Sequence, residues 1–210
     1  MVHRSAFIAV ALCLAAAPAA RAVNELGMYV AVDGWLIDGY AYCGPVEVHL
    51  VVLDPYNPVR DRPITQVGGF ECRVELPPQV TLLEVRLPPG SVNFRTWPEL
   101  LVGVSVPVPA SDGHVVLATI VVEVPEDLGS PVYALLQPVN PPYQSIPGSA
   151  AIMDAEDDYR LVAVAPAGGS YDRPIFGFGY TLDHPWGARM SGCIVALADV
   201  TWGALKSSYR

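Results

Sequence analysis

Four carboxylates lie within one short segment of this chain, DAEDD at residues 154–158. They belong to Asp154, Glu156, Asp157 and Asp158. Calcium takes roughly six to eight oxygen ligands, so closely spaced carboxylates in a loop are candidate calcium ligands. The segment lacks the glycine and the terminal glutamate of an EF-hand loop. A solvated acidic turn before a strand is the interpretation we favour, with calcium binding as the alternative.

No other set of residues in the sequence points to catalysis. Glycoside hydrolysis needs two carboxylates across a cleft, and the 21 acidic residues cannot be paired from the sequence. His49, His114 and His184 lack the H-x-x-x-H spacing of a metal site, and the chain has no G-x-S-x-G elbow and no phosphate-binding loop. We therefore expect a protein that is not an enzyme.

Aromatic residues in or beside loops are the better candidates for binding. Their rings can stack on sugar faces or anchor a protein interface. The candidates are Trp35, Tyr40, Tyr56, Trp97, Tyr143 and Trp186. Any one of them alone is more typical of a residue that caps the end of a β-sandwich. Only the set as a whole suggests binding.

The cysteines allow at most one disulfide after the N-terminal apolar run, which contains Cys13, is removed. Cys43, Cys72 and Cys193 remain, and three pairings between them are open. We favour Cys43 as the partner of Cys72, although the inward position of Cys72 on a strand is also typical of a buried free thiol. No C-x-x-C spacing occurs, so no zinc or redox site is predicted.

The elements that hold these residues are predicted to be strands. Residues 70–76 alternate strictly between apolar and charged side chains, which places Glu71 on the outward face. The following strand places Leu83 inward, and residues 114–124 form a strand in which Val116 shares a row with Ala118. Prolines interrupt these strands because proline has no N–H to donate.

Further strands are predicted at residues 24–32, 46–52, 132–136 and 160–165. The connection 54–63 is rich in proline and charge and should be exposed, and the connection 137–149 carries four prolines and should be irregular. No amphipathic helix of ordinary length follows the leader. The fold class is therefore all-β, a jelly-roll or immunoglobulin-like sandwich of two sheets with a short C-terminal extension.

The N-terminus has the pattern of an export signal. Arg4 precedes an apolar run, and Ala20-Arg21-Ala22 matches a cleavage site, so residues 1–22 are predicted to be a signal peptide. The run is too short to span a membrane, and no transmembrane segment is predicted in the mature chain. We assign residues 23–169 to the sandwich and 170–210 to a C-terminal hairpin or tail. The protein is expected to be extracellular or periplasmic.

The order of features across residues 46–165 resembles a cohesin-like domain, the β-sandwich of cellulosome scaffoldins and of other exported bacterial proteins. Four short motifs carry the resemblance: GF at 69–70, PQVTLLEV at 78–85, PG at 89–90 and GHVVLATI at 113–120. The proline-rich insert at 138–147 and the tail after Gly168 depart from the cohesin pattern. A scaffoldin carries repeated modules and this chain has one, so the resemblance implies protein or glycan binding rather than dockerin binding in particular.

The charge of the chain narrows the class of partner. The formal net charge is −9 with no basic run, which argues against nucleic acid and anionic membranes. We expect a non-catalytic binding or structural module for protein–protein adhesion or assembly at or outside the cell envelope. A carbohydrate-binding module that uses the loop aromatics is the alternative, and a glycoside hydrolase accessory domain is a third. The sequence does not specify the oligomeric state.

Overall fold

A computed structural model describes residues 24–32, 35–37, 43–126, 128, 132–167 and 169–178. Within those residues the chain is all-β, with no helix. The strands are β1 (Glu25–Val32), β2 (Trp35–Ile37), β3 (Gly44–Leu53), β4 (Tyr56–Asn57), β5 (Arg62–Pro63), β6 (Gln66–Glu75), β7 (Thr81–Arg86), β8 (Ser91–Asn93), β9 (Glu99–Pro109), β10 (His114–Val124), β11 (Val132–Gln137), β12 (Ala150–Asp154), β13 (Arg160–Pro166) and β14 (Phe176–Phe178).

The strands form two antiparallel groups joined at one side. The first group has the order β1-β3-β10-β7, and the second has the order β8-β9-β6-β12-β13. A short parallel pairing between β1 and β13 connects the two groups into one sheet of twelve strands. β11 pairs with the end of β6, β14 pairs with β11, and β2 pairs with β1. β4 and β5 form a separate two-stranded ribbon.

One hydrophobic core lies between the two groups. In strands such as β13 the buried residues alternate with exposed ones, as period-two side-chain placement requires. The first group contributes Val46, Val48, Leu50, Ile120 and Val122, and the second contributes Phe70, Cys72, Val74, Leu100, Val102 and Ile152. This arrangement is consistent with a β-sandwich, whose two sheets bury their facing sides against each other.

Two predictions of side-chain placement, the shared row of Val116 with Ala118 and the inward position of Leu83, are wrong because β-bulges shift the alternation. The pairing of β10 with β3 jumps between Val116 and Ala118. As a result Leu117 is fully buried while Val116 is 37% exposed. A second shift, in the pairing of β10 with β7, leaves Leu83 53% exposed rather than inward. A bulge inserts one extra residue, so every prediction that counts through it changes face.

Two segments beyond the predicted strands are also part of the folded structure. The connection 54–63, predicted to be exposed, contains the β4–β5 ribbon, and Asn57 in that ribbon is fully buried. Residues 170–178, at the start of the predicted C-terminal hairpin or tail, contribute β14 and the buried side chains of Ile175, Phe176 and Phe178. The hydroxyl of Tyr171 donates to the Val164 carbonyl and accepts from the Ala150 amide. The predicted signal peptide and residues 179–210 lie outside the described residues.

Candidate functional site

The acidic segment 154–158 forms the turn between β12 and β13, and the β4–β5 ribbon packs against it. Asp154 is fully buried at the end of β12. Its Oδ2 accepts hydrogen bonds from Asn57 Nδ2 at 2.7 Å and from a terminal guanidinium nitrogen of Arg62 at 3.0 Å. Its Oδ1 accepts from the Glu156 amide at 3.1 Å. Arg62 also binds a second carboxylate, because its other terminal nitrogen lies 2.9 Å from Oε2 of Glu156.

Asp157 is the second buried carboxylate of this turn. Arg60 binds its Oδ1 through Nε at 2.8 Å and through a terminal nitrogen at 2.6 Å. Arg160 Nε lies 2.6 Å from its Oδ2, and Asn57 Nδ2 lies 3.2 Å from the same atom. The hydrogen bond from Arg60, followed by those from Arg160 and Asn57, lowers the pKa of Asp157 below its usual range against the opposing effect of burial.

These contacts show which carboxylates of the predicted acidic site are bound within the molecule. Asp154 and Asp157 are not solvated, so the favoured interpretation is wrong for those two residues, while Glu156 and Asp158 are exposed. In the part of the chain that the structure describes, no three His, Cys, Asp or Glu side chains are arranged to hold a metal ion. Arginine and asparagine already bind the oxygens that calcium would need. Calcium binding by this turn stays an untested prediction.

The predicted disulfide between Cys43 and Cys72 is wrong. Cys72 is a free thiol on the inward face of β6, and burial raises its pKa far above the usual range. Cys43 is disulfide-bonded, and its partner lies outside the described residues. The inward position of Cys72 was the relevant signal, because a core position surrounded by aliphatic side chains keeps a thiol from a loop cysteine.

The three predicted aromatic residues whose side chains the structure describes have different surroundings. Trp97 packs partly buried against the core, and Tyr56 donates its hydroxyl to Asp61. Tyr143 is 47% exposed, and the Arg95 guanidinium stacks on its ring at 3.5 Å from the centroid. The side chains of Trp35, Tyr40 and Trp186 lie outside the described residues. Binding by the aromatic residues stays an untested prediction.

An apolar row crosses the outer face of the second strand group. The strand pairings align Val92 with Gly103, Gly103 with Gly69, Gly69 with Met153, and Met153 with Leu161. The neighbouring row, which includes Phe70 and Ile152, belongs to the core, so this row faces outward. We call the surface formed by Val92, Phe94, Leu101, Gly103, Gly69, Met153 and Leu161 the outer face.

Gly69 and Gly103 carry no side chain, which leaves space for their neighbours on the outer face. A Cβ on Gly69 would lie 3.0 Å from the Met153 sulfur, and a Cβ on Gly103 would lie 3.4 Å from a ring carbon of Phe94. Met153 and Phe94 therefore lie over backbone that carries no side chain. Between them is a dent of about 60 Å³, whose lining is almost entirely apolar and includes Leu101 and Leu161. Phe94 itself is 68% exposed.

Two buried carboxylates hold the proline-rich loop 138–149 beside this face. Glu71, outward on β6 as predicted, is nevertheless buried, because the loop covers it. Its oxygens accept from the Ser145 amide at 2.9 Å and from the Ser145 hydroxyl at 2.6 Å. Glu99 accepts from the Asn140 amide at 2.9 Å, and this bond is the main cause that lowers the pKa of Glu99. The loop is thus anchored at two points.

The sequence contained one signal for the outer face that the prediction did not use. Gly68 and Gly69 come directly before the predicted strand at residues 70–76, and Gly103 interrupts another apolar run. A glycine inside a strand often marks close approach by other groups. Met153 and Leu161 are apolar at outward positions, where a solvated sheet carries polar residues. Only the pairing of their strands brings Gly69, Gly103, Met153 and Leu161 together in one row.

The chain was compared with protein-family models, with curated proteins and with solved structures, and none of them matched. Among the residues that the structure describes, no helix is long and apolar enough to cross a membrane.

Proposed function

We propose that this protein is an exported, non-catalytic β-sandwich module that binds a partner protein at or outside the cell envelope. The outer face is the proposed contact surface. One observation carries the proposal: the exposed side of the β8-β9-β6-β12-β13 sheet has an apolar row where polar residues would be expected. The cohesin-like, jelly-roll type of sandwich is the fold that we propose for it from the sequence motifs.

The chemistry of the outer face favours a protein over a polysaccharide. The dent offers almost no polar atoms, and sugar hydroxyls need hydrogen-bonding partners when they are buried. The charges nearest to it are engaged within the molecule, since Arg95 binds Glu99 at 3.1 Å and Glu71 binds the loop. An uncharged, apolar protein surface is the complementary partner.

The buried acids do not support catalysis. Asp154 and Asp157 bind arginines, and Glu71 and Glu99 accept from the backbone of the proline-rich loop. Each therefore has a role in holding one segment of the chain against another. We propose no reaction for this protein.

The proposal is tested by capture with three forms of residues 23–210 as bait. The forms are the unaltered chain, Phe94→Glu and the matched control Leu83→Glu, which places the same charge on an exposed apolar side chain of the other strand group. Proteins from the envelope and supernatant of the source organism are identified, produced, and measured by calorimetry. We expect Phe94→Glu to weaken the affinity at least about tenfold, because a charge would be buried in an apolar contact, and Leu83→Glu to leave it unchanged.

Other outcomes of the same experiment are decisive. A protein that binds all three forms equally would exclude the outer face as the contact surface. Retention of polysaccharide with no protein captured would favour the carbohydrate-binding alternative.

A further inference from the structure

Cys43, the residue before β3, is disulfide-bonded, and the other cysteines of the chain limit what its partner can be. The sequence contains three further cysteines, Cys13, Cys72 and Cys193. Cys72 is a free thiol that is fully buried in the core, so it is not the partner. Cys13 and Cys193 remain, and the positions of the described strands distinguish between them.

The described chain ends at Phe178, and the strand pairings limit its distance from Cys43. Gly44 is paired with Val124 between β3 and β10, and Val132 is paired with Phe178 between β11 and β14. Only the short segment 125–131 connects the two pairs. Each residue step spans at most about 3.6 Å and paired Cα atoms lie about 5 Å apart, so Cys43 lies within roughly 45 Å of Phe178.

The chain beyond Phe178 is long enough to cover that distance. Cys193 follows Phe178 by 15 positions, which corresponds to a reach of about 50 Å when the chain is extended. The reach exceeds the largest separation that the strand pairings allow. A bond between Cys43 and Cys193 therefore requires no change in any described strand.

Cys13 would have to approach Cys43 from the far end of β3. Glu25, the first residue of β1, is paired with Leu53, whereas Cys43 precedes the other end of that strand. The 10 residues of β3 span about 30 Å, so the chain from Cys13 to Glu25 would have to run nearly straight back along the sheet. Cys13 also belongs to the predicted signal peptide, which export removes.

We propose that Cys43 and Cys193 form a disulfide that tethers the C-terminal segment 179–193 to the start of β3. The bond forms by exchange with the disulfide of an oxidised dithiol carrier protein outside the cytoplasm. One thiolate attacks the carrier and gives a mixed disulfide, and the second thiolate then displaces the carrier. The chain loses two protons and two electrons, and the carrier is released as a dithiol.

This tether makes the attachment of the C-terminal segment sensitive to reduction. Cys43 is only half-buried, so a small thiol can reach its sulfur, whereas the fully buried Cys72 is protected. In the reduced protein the segment is held only through the backbone that follows Phe178. The inference goes beyond the proposed function, because it concerns the covalent structure of the chain and holds whichever partner binds the outer face.

Peptide mapping without reduction tests the proposal. The full chain of residues 1–210 is exported by a bacterial host, denatured in urea, treated with iodoacetamide to block free thiols, and digested with trypsin. We expect the peptide that ends at Arg60 to be joined to the peptide Met190–Lys206, and Cys72 to be alkylated in its own peptide. The joined species should disappear when the digest is reduced with dithiothreitol.

The order of reactivity in the folded protein gives a second measurement. Dithiothreitol followed by iodoacetamide, both without urea, should label Cys43 and Cys193 and leave Cys72 unlabelled. Cys193→Ser should leave Cys43 reactive without any reductant. The matched control Cys72→Ala should leave the joined peptides unchanged.

Three outcomes of the mapping would overturn the inference. They are a bond from Cys43 to Cys13, a covalent dimer joined through Cys43 of two chains, and an alkylated Cys43 in the unaltered exported protein. None of them affects the test of the outer face by Phe94→Glu, so the two proposals fail separately.

Discussion

Asn57 bridges Asp154 and Asp157, the two buried carboxylates that arginines bind, and we call this group the arginine–carboxylate network. The change Asn57→Asp tests the network directly. The buried Nδ2 donates to Asp154 and Asp157, and Oδ1 accepts from the amides of Val59 and Arg60. The substitution keeps the shape of the side chain and the two accepted bonds. It replaces the donor by an oxygen that faces two carboxylates.

The magnitude follows from the two donated bonds. A hydrogen bond to a charged group contributes about 1.5–3 kcal/mol, and breaking a buried charge network typically costs about 3–5 kcal/mol. We therefore expect Asn57→Asp to lower the free energy of unfolding by about 3–5 kcal/mol. For a domain of this size that corresponds to a melting temperature roughly 10 °C lower.

Urea denaturation measures this change, and Gln79→Glu is the matched control because it makes the same amide-to-carboxylate change at an exposed position. The control should change the free energy of unfolding by less than about 0.5 kcal/mol. An equally small effect of Asn57→Asp would refute the reasoning, because it would mean that the buried amide does not bridge the two carboxylates.

The pH dependence gives an independent check of the same network. The folded-state pKa of Asp157 is lowered, so its contribution to stability is present above the unfolded-state pKa and is lost as the pH falls through the folded value. The carboxylate introduced at position 57 should affect stability in the opposite direction, because the carboxylates of Asp154 and Asp157 beside it raise its pKa. Its destabilising effect is therefore relieved as the pH falls and it becomes protonated. The difference between Asn57→Asp and the unaltered chain should therefore narrow as the pH approaches about 4.

Three further predictions concern other parts of the structure. Glu71→Ala should lower the free energy of unfolding by about 2 kcal/mol and speed hydrogen exchange at the Ser145 and Ile146 amides, which lose their acceptor; unchanged exchange would contradict the anchoring of the loop. Phe178→Ala should lower the free energy of unfolding, measured by urea denaturation, by about 3–5 kcal/mol because the side chain is fully buried. A decrease of less than about 1 kcal/mol would place β14 outside the core. Cys72 should resist iodoacetamide in the folded protein and react once urea unfolds it, since burial raises its pKa; mass spectrometry of the Cys72 peptide would reveal any labelling of the native chain.

Much of the fold was predictable from local patterns, and the exceptions have a common cause. The predicted strand at residues 46–52 is confirmed by β3, and the one at 160–165 by β13. The predicted row shared by Val116 and Ala118 and the predicted inward position of Leu83 were wrong because a bulge lies at each of these points. Whether a strand has a bulge depends on the register of its neighbour, which the strand's own alternation does not encode.

The candidate site was less predictable than the fold. The acidic segment was visible in the sequence, but the arginines that bind it were not assigned to it. Arg60 and Asp157 are separated by 97 positions in the chain, and Glu71 and Ser145 by 74. Contacts at such distances depend on how the strands are ordered, and a single sequence carries no direct record of that order.

The sequence by itself determined the all-β class, the alternation of most strands and the inward position of Cys72, because side-chain alternation is a local property of the backbone. Only the tertiary structure decided what lies against each outward residue. It buried Glu71 under the proline-rich loop, packed the β4–β5 ribbon on the acidic turn, and aligned Gly69 with Gly103 and Met153. The physical reason is that alternation assigns a residue to a face, whereas the pairing of distant strands assigns its neighbours.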